Sequence, residues 1–156
     1  MNQRIQWKPL LICLAIPLAV GGLSALITSS SMEAFAALRQ PPLSPPGWVF
    51  PVVWTVLYLL MGRASRRVYR LGAPESRKAL TLYYVQLAVN FVWPLLYFRA
   101  QEYRIAFWWL LLLLALVLAT LSAFYRLDKT AGRLLVPYVA WLLFAAYLNY
   151  SIMRVV

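Results

Sequence analysis

The sequence predicts an all-α membrane protein: a bundle of five transmembrane helices, with the N-terminus inside and the C-terminus outside. Three observations carry that reading. The 156 residues are 63% hydrophobic and only 12% charged, with a mean hydropathy of +0.71. A single domain of this length cannot hide so much apolar surface from water, so its solvent must be lipid. Five segments contain no Asp, Glu, Lys or Arg, and the basic residues that separate them fall unevenly on the two sides.

The elements follow in order. The first span is expected at about 10–30. Arg4 and Lys8 precede it as in a signal peptide, but the apolar run is too long and has no clear small-residue cleavage site, so it reads as a retained helix. An outer loop occupies 31–46. The second charge-free run, Gly47–Gly62, is short for a span of about 20 residues. It reaches about Tyr69 if Arg63, Arg66 and Arg67 extend their head groups to the interface. The remaining spans are expected at 79–98, 105–125 and 134–153, making one five-helix membrane domain over 1–156. No run alternates with period two, which argues against a barrel. Eleven basic residues lie on the N-terminal side and four on the other, so the positive-inside rule sets the orientation. The stretch RRVYRLGAPESRK then reads as a loop lying against anionic head groups, and no nucleic-acid partner is expected.

Composition also excludes chemistry. The chain has no histidine and one cysteine, Cys13. That removes the commonest metal ligand, general base and haem ligand, and any disulfide within the chain. Without ionisable groups inside the spans, proton- or ion-coupled pumping lacks a carrier. No Ser-His-Asp or zinc mechanism can be assembled, and neither metal nor cofactor is required.

What the spans do carry is aromatic and amide stripes at spacings of three or four residues, which places them on one helix face. Phe50, Trp54 and Tyr58 form the first; Gln86, Asn90, Trp93 and Tyr97 the second; Pro137, Trp141, Ala145 and Asn149 the third. Two readings stay open. The faces either line a shared pocket, or they pack helix on helix, with the amides as interhelical bonds. Trp7, Trp48, Tyr103 and Tyr150 are expected in interfacial belts. Pro17, Pro94 and Pro137 are expected to bend their helices or end them early.

Three blocks together resemble the TspO/MBR family, the tryptophan-rich sensory proteins: SPPGWVFPVVWTVLYLLMG (44–62), QLAVNFVW (86–93) and VPYVAWLLFAAYLNY (136–150). The resemblance covers the whole chain. It implies a five-helix bundle, commonly a homodimer, with a pocket below the first loop that takes porphyrins such as protoporphyrin IX. Isoquinoline- and benzodiazepine-type ligands and, in animal members, a sterol are further implied partners. Matched by motif, the pocket would use Trp54 and Tyr58, Asn90 and Trp93, and Trp141 and Ala145, with Gln86 and Asn149 on the same faces. Phe35, Leu43, Pro45, Pro46, Gly47 and Trp48 would form its rim, stiffened by proline outside the bilayer.

The chain departs from the family at the loop. Many bacterial members carry a Trp-Tyr pair and another Trp before the PPG, where this chain has Ala34, Phe35 and Leu43. Those aromatics are the candidates for light-driven porphyrin degradation, so binding is expected here and degradation is not. A sterol pattern at Leu148, Tyr150 and Arg154 discriminates little, because the same pattern occurs four times in the chain. The expected role is a membrane receptor or carrier for tetrapyrroles and other hydrophobic ligands, with a sensory or regulatory transport function. A porphyrin photo-oxidase and a ligand-free structural subunit are the competing roles. With so short an N-terminus before the first span, a bacterial plasma membrane is the expected location.

Overall fold

The computed structural model describes residues 7–28 and 48–155. The helices are α1 (Trp7–Thr28), α2 (Val49–Leu71), α3 (Pro74–Pro94), α4 (Tyr103–Leu127), the short α5 (Lys129–Leu134) and α6 (Val136–Val155). A π-helical turn, Leu95–Arg99, prolongs α3. The five long helices pack as a bundle, and no strand occurs among the described residues. Of the expected rim, Phe35, Leu43, Pro45, Pro46 and Gly47 lie outside the described residues.

Four runs are long and apolar enough to cross a membrane: α1, α3 with its π turn, α4, and α5 with α6. The second helix is not among them. It has a spanning length of 23 residues, but Arg63, Arg66, Arg67 and Arg70 dilute its last turns. Nor do its arginines all reach outward as expected. Arg63 is exposed, while Arg67 pairs with Asp128 at 3.0 Å. Arg66 is buried, its guanidinium carbon 5.8 Å from the Tyr69 ring centroid. Cation–π attraction and burial of the aliphatic stem against the bundle hold it there.

Local chemistry sets the helix ends. Gly72, at φ 60°, closes α2 in the left-handed conformation, and its N–H bonds the Tyr69 carbonyl at 3.2 Å. Pro74 opens α3, where a missing donor costs nothing. Pro94 ends it, and the Ala100 N–H then reaches back to the Leu95 carbonyl at 2.8 Å. Asp128 caps α5 by accepting from Thr130 N at 2.9 Å and Ala131 N at 3.3 Å. Pro137 lies in the first turn of α6. There it begins the helix, contrary to the expectation that it would bend or end one, because no helical bond exists there for it to break.

The core runs through the middle of α2, α3, α4 and α6, where Met61, Tyr83, Leu110, Leu113, Phe124, Tyr138, Leu142 and Ile152 are fully buried. Helix α1 crosses α2 closely at Gly62, where a Cβ would fall 2.6 Å from the Cys13 carbonyl and 2.8 Å from Leu14 Cα. Close backbone approach at small residues is how helices pack without a hydrophobic driving force in lipid. Outward-facing Leu11, Leu23 and Leu26 on α1 and Trp108, Leu112 and Leu118 on α4 are exposed and apolar, as a lipid-facing surface requires. Trp7, Trp48 and Tyr150 are exposed near helix ends, as belt residues are. Tyr103 departs from the expectation and is buried. It sits edge-on to Tyr97, 5.2 Å between centroids.

Candidate functional site

The aromatic stripes do not converge on one pocket; they divide between two structures. The first is a cavity of about 410 Å³ between α1, α2 and the end of α3. This lies within the volume range of small-molecule sites. Helix α2 contributes Phe50, Pro51, Trp54, Thr55 and Tyr58. Trp93, Pro94 and Phe98 close one end, and Leu18, Gly21, Gly22, Ser24 and Ala25 of α1 form the facing wall. The wall is therefore built of small residues opposite large rings.

The rings are fixed by one another. Trp54 stacks on Tyr58 at 5.5 Å and 27°. It stands edge-on to Tyr138 at 6.1 Å and to Trp141 at 6.5 Å. Trp93 stacks on Tyr97 at 4.9 Å and 19°. Its indole N–H donates to Asn149 Oδ1 at 3.2 Å, while Asn149 Nδ2 donates to the Tyr103 carbonyl at 2.9 Å. The π turn after Pro94 places Phe98 beside Trp93, 6.1 Å between centroids. The Arg99 guanidinium, 3.4 Å from the Ile27 carbonyl, ties that turn to the end of α1.

The second structure is a polar ladder sealed between α2, α3 and α6. The Tyr58 hydroxyl donates to Asn90 Oδ1 at 2.8 Å, and Asn90 Nδ2 donates to the Tyr138 oxygen at 2.6 Å. The Tyr138 hydroxyl donates to Gln86 Oε1 at 2.8 Å, and Gln86 Nε2 ends the chain at Met61 Sδ, 4.0 Å away. Gln86 and Asn90 are each 1% exposed and Asn149 is fully buried. These amides spend their hydrogen bonds on neighbouring helices.

The sequence-predicted residues thus separate. Trp54, Tyr58 and Trp93 line the cavity. Gln86, Asn90 and Asn149 do not; they belong to the interhelical bonds. Trp141 backs the cavity, edge-on to Phe50 at 5.8 Å, and its buried indole N–H has no partner. Ala145 is buried on α6 outside the lining. Of the rim, only Trp48 is described, and it is exposed. Leu148 faces the interior while Tyr150 faces out under Arg154, so the sterol pattern does not present one surface. Residues two apart on a helix point in opposed directions.

Three contributors escaped the sequence reading. Tyr138 is the hub of the ladder, and its signal was its place on the face of Trp141, three residues earlier. Gly21 and Gly22 form the wall of the cavity, signalled only by adjacent glycines inside an apolar run. A Cβ at Gly21 would overlap the Tyr58 ring, whereas one at Gly22 meets nothing within 4 Å. Among the described residues no cluster of His, Cys, Asp or Glu could hold a metal ion.

A model of the TspO/MBR family matches residues 13–155. The chain is 34% identical over 157 residues to the tryptophan-rich protein TspO of Chlorobaculum tepidum, covering 99% of this chain and 98% of the relative. It is 37% identical over 152 residues to the translocator protein of Sus scrofa, covering 95% and 90%. The tryptophan-rich sensory protein of Cereibacter sphaeroides is 40% identical over 122 residues, covering 78% and 76%.

Proposed function

This chain belongs to the TspO/MBR family of integral membrane proteins, and from that premise we propose that it is a membrane receptor or carrier for flat hydrophobic ligands, tetrapyrroles of the protoporphyrin type foremost. The single observation that carries the reading is the cavity of about 410 Å³ walled by tryptophan and phenylalanine on one side and by glycine and alanine on the other. A planar ring slides between such walls and covers the faces of Trp54 and Phe50. Each well-placed ring pair adds about 0.5–1.5 kcal/mol beyond simple area burial.

The mechanism is recognition by shape and π surface. Trp54 is held by Tyr58 and Trp141, and Trp93 by Tyr97 and Asn149, so both rings are set before a ligand arrives. Preorganisation of this kind removes ordering cost from binding. The names of the relatives, a sensory protein in Cereibacter sphaeroides and a translocator protein in Sus scrofa, support a sensory or translocating output for the bound state.

The test is saturable quenching of tryptophan fluorescence by protoporphyrin IX in detergent or lipid discs. Trp54→Phe is expected to lower both amplitude and affinity. Quenching that never saturates, or that is unchanged in Trp54→Phe, removes the reading.

A further inference from the structure

One end of the bundle carries cations that nothing in the fold neutralises. The stretch expected there as a loop is helical on both sides of Gly72 and Ala73, so its basic side chains stand on helix turns. Arg63, Arg67 and Arg70 recur at spacings of four and three, on one face of α2. Arg67 turns that face to the α4–α5 corner, because its Nε donates to Asp128 Oδ2 at 3.0 Å across 61 positions of chain. The corner is tightly packed: a Cβ at Gly132 would fall 2.5 Å from Tyr125 Cβ. Ala131 and Gly132 are buried there, while Arg126, Lys129 and Arg133 are exposed, as are Arg63 and Arg70.

Among the described residues this end has two acids. Asp128 is spent on Arg67 and on the N–H groups of Thr130 and Ala131. Glu75 is the other, on α3 with the exposed Arg77 and Lys78. No exposed cation of the α2–α5 corner has an ion-pair partner among the described residues. The opposite end is built otherwise. There Arg99 donates to the Ile27 carbonyl at 3.4 Å, Arg154 lies 5.8 Å from the Tyr150 ring centroid, and Glu102 stands two residues from Arg104. Tyr69, Leu71 and Tyr125 are exposed among the unpaired cations. A soluble polyanion would leave those apolar surfaces in water, whereas the boundary between head groups and acyl chains receives both kinds of side chain.

We propose that this end of the bundle is a selective binding surface for anionic phospholipid head groups, with Arg63 and Arg70 of α2 and Lys129 and Arg133 of α5 supplying the phosphate contacts. Guanidinium groups hold phosphate through paired, charge-assisted hydrogen bonds. Clusters of cations at the membrane end of helices draw anionic lipids. The Arg67–Asp128 pair joins the two sets of cations into one surface, which no spacing within either stretch of sequence reveals. The surface lies apart from the α1–α2 cavity and stands independently of what that cavity binds.

Native mass spectrometry of the full chain in detergent reads single lipid-binding events and tests this. Phosphatidylglycerol is expected to bind roughly tenfold more tightly than phosphatidylcholine with the same acyl chains. That preference should shrink as salt is raised. Arg70→Gln, Lys129→Gln and Arg133→Gln together should cut it to about twofold or less. If the triple variant does not fold, each single substitution should cut it about twofold, and three unchanged singles overturn the proposal. Arg99→Gln, Arg104→Gln and Arg154→Gln at the opposite end should leave the preference in place; an equal loss there means that overall charge, not this surface, selects the lipid. Equal affinities for the two lipids in the unaltered chain overturn the proposal outright. So does displacement of phosphatidylglycerol by an equal concentration of a single-stranded oligonucleotide, which would assign the surface to a soluble polyanion.

Discussion

The two faces of Tyr58 look onto regions built on opposite plans. Toward α3 and α6 it meets Asn90, Tyr138 and Gln86, a linked set in which both hydroxyls and both amides each donate to a protein acceptor. Toward α1 it meets glycine and open space. The ladder region gains fold specificity from polar groups that lipid cannot solvate, and its amides are buried. The cavity region leaves room and ring surface, with the Trp54 indole and the Ser24 hydroxyl among its lining. An amide in a membrane helix is therefore no guide to a ligand contact until its partners are known. Small residues opposite aromatic ones are the better guide here.

If the two regions are separate, substitutions should separate stability from binding. The largest stability effect is expected from Asn90→Leu, which strands the Tyr58 hydroxyl hydrogen and removes the amide donor to Tyr138, whose own hydrogen stays on Gln86. A loss of about 2–3 kcal/mol is expected by thermal or denaturant unfolding in detergent. Protoporphyrin quenching should stay within about threefold of the unaltered chain, and a complete loss of binding would return Asn90 to the cavity.

A smaller contrast lies in the two adjacent glycines. Gly21→Ala drives a methyl into the Tyr58 ring, a clash expected to cost about 1–3 kcal/mol. Gly22→Ala adds a methyl to empty space and removes a helix-weakening glycine, so stability should hold or rise by up to about 1 kcal/mol. Unfolding of the two variants side by side checks the contrast, and equal losses would mean that the α1 wall is packed throughout.

The smallest effect lies at the α4–α5 corner. Partial burial works against ionisation of Asp128, but the Arg67 guanidinium and the N–H groups of Ala131 and Thr130 outweigh it and hold the carboxyl below its usual range. Its contribution is thus fully present above the ordinary carboxylate pKa of about 4 and is lost as pH falls through the lower folded value. With Arg67 40% exposed, the pair should be worth less than about 1 kcal/mol. Asp128→Asn keeps a capping oxygen and should flatten the acid limb of the stability curve without touching ligand binding. A change in quenching would break the separation of this corner from the site.

Much of this was legible in the chain. Four spans stood out as runs without charge, and the four-residue recurrences placed Trp54 with Tyr58 and Trp93 with Tyr97 on shared faces. What failed to show was which way each face looked. Gln86 and Asn90 share a stripe with the lining Trp93, yet Tyr138 across the bundle takes their bonds, while Asn149 accepts from Trp93 and donates to the Tyr103 carbonyl. The α1 wall was hidden because it works through side chains that are missing. Arg66 and Tyr103 were read as interfacial from their place near helix ends, yet cation–π and edge-on ring contacts fold them inward. The short charge-free run of α2 gave no sign that it would be the helix on which both regions meet.

Gly22→Leu tests the division most directly, because Gly22 lines the cavity and a Cβ there meets nothing within 4 Å. Titrating protoporphyrin IX against tryptophan fluorescence should give saturable quenching in the unaltered chain and none in this variant, with its unfolding temperature unchanged or higher. Saturable quenching of undiminished affinity in Gly22→Leu would contradict the assignment of the α1–α2 cavity as the binding site.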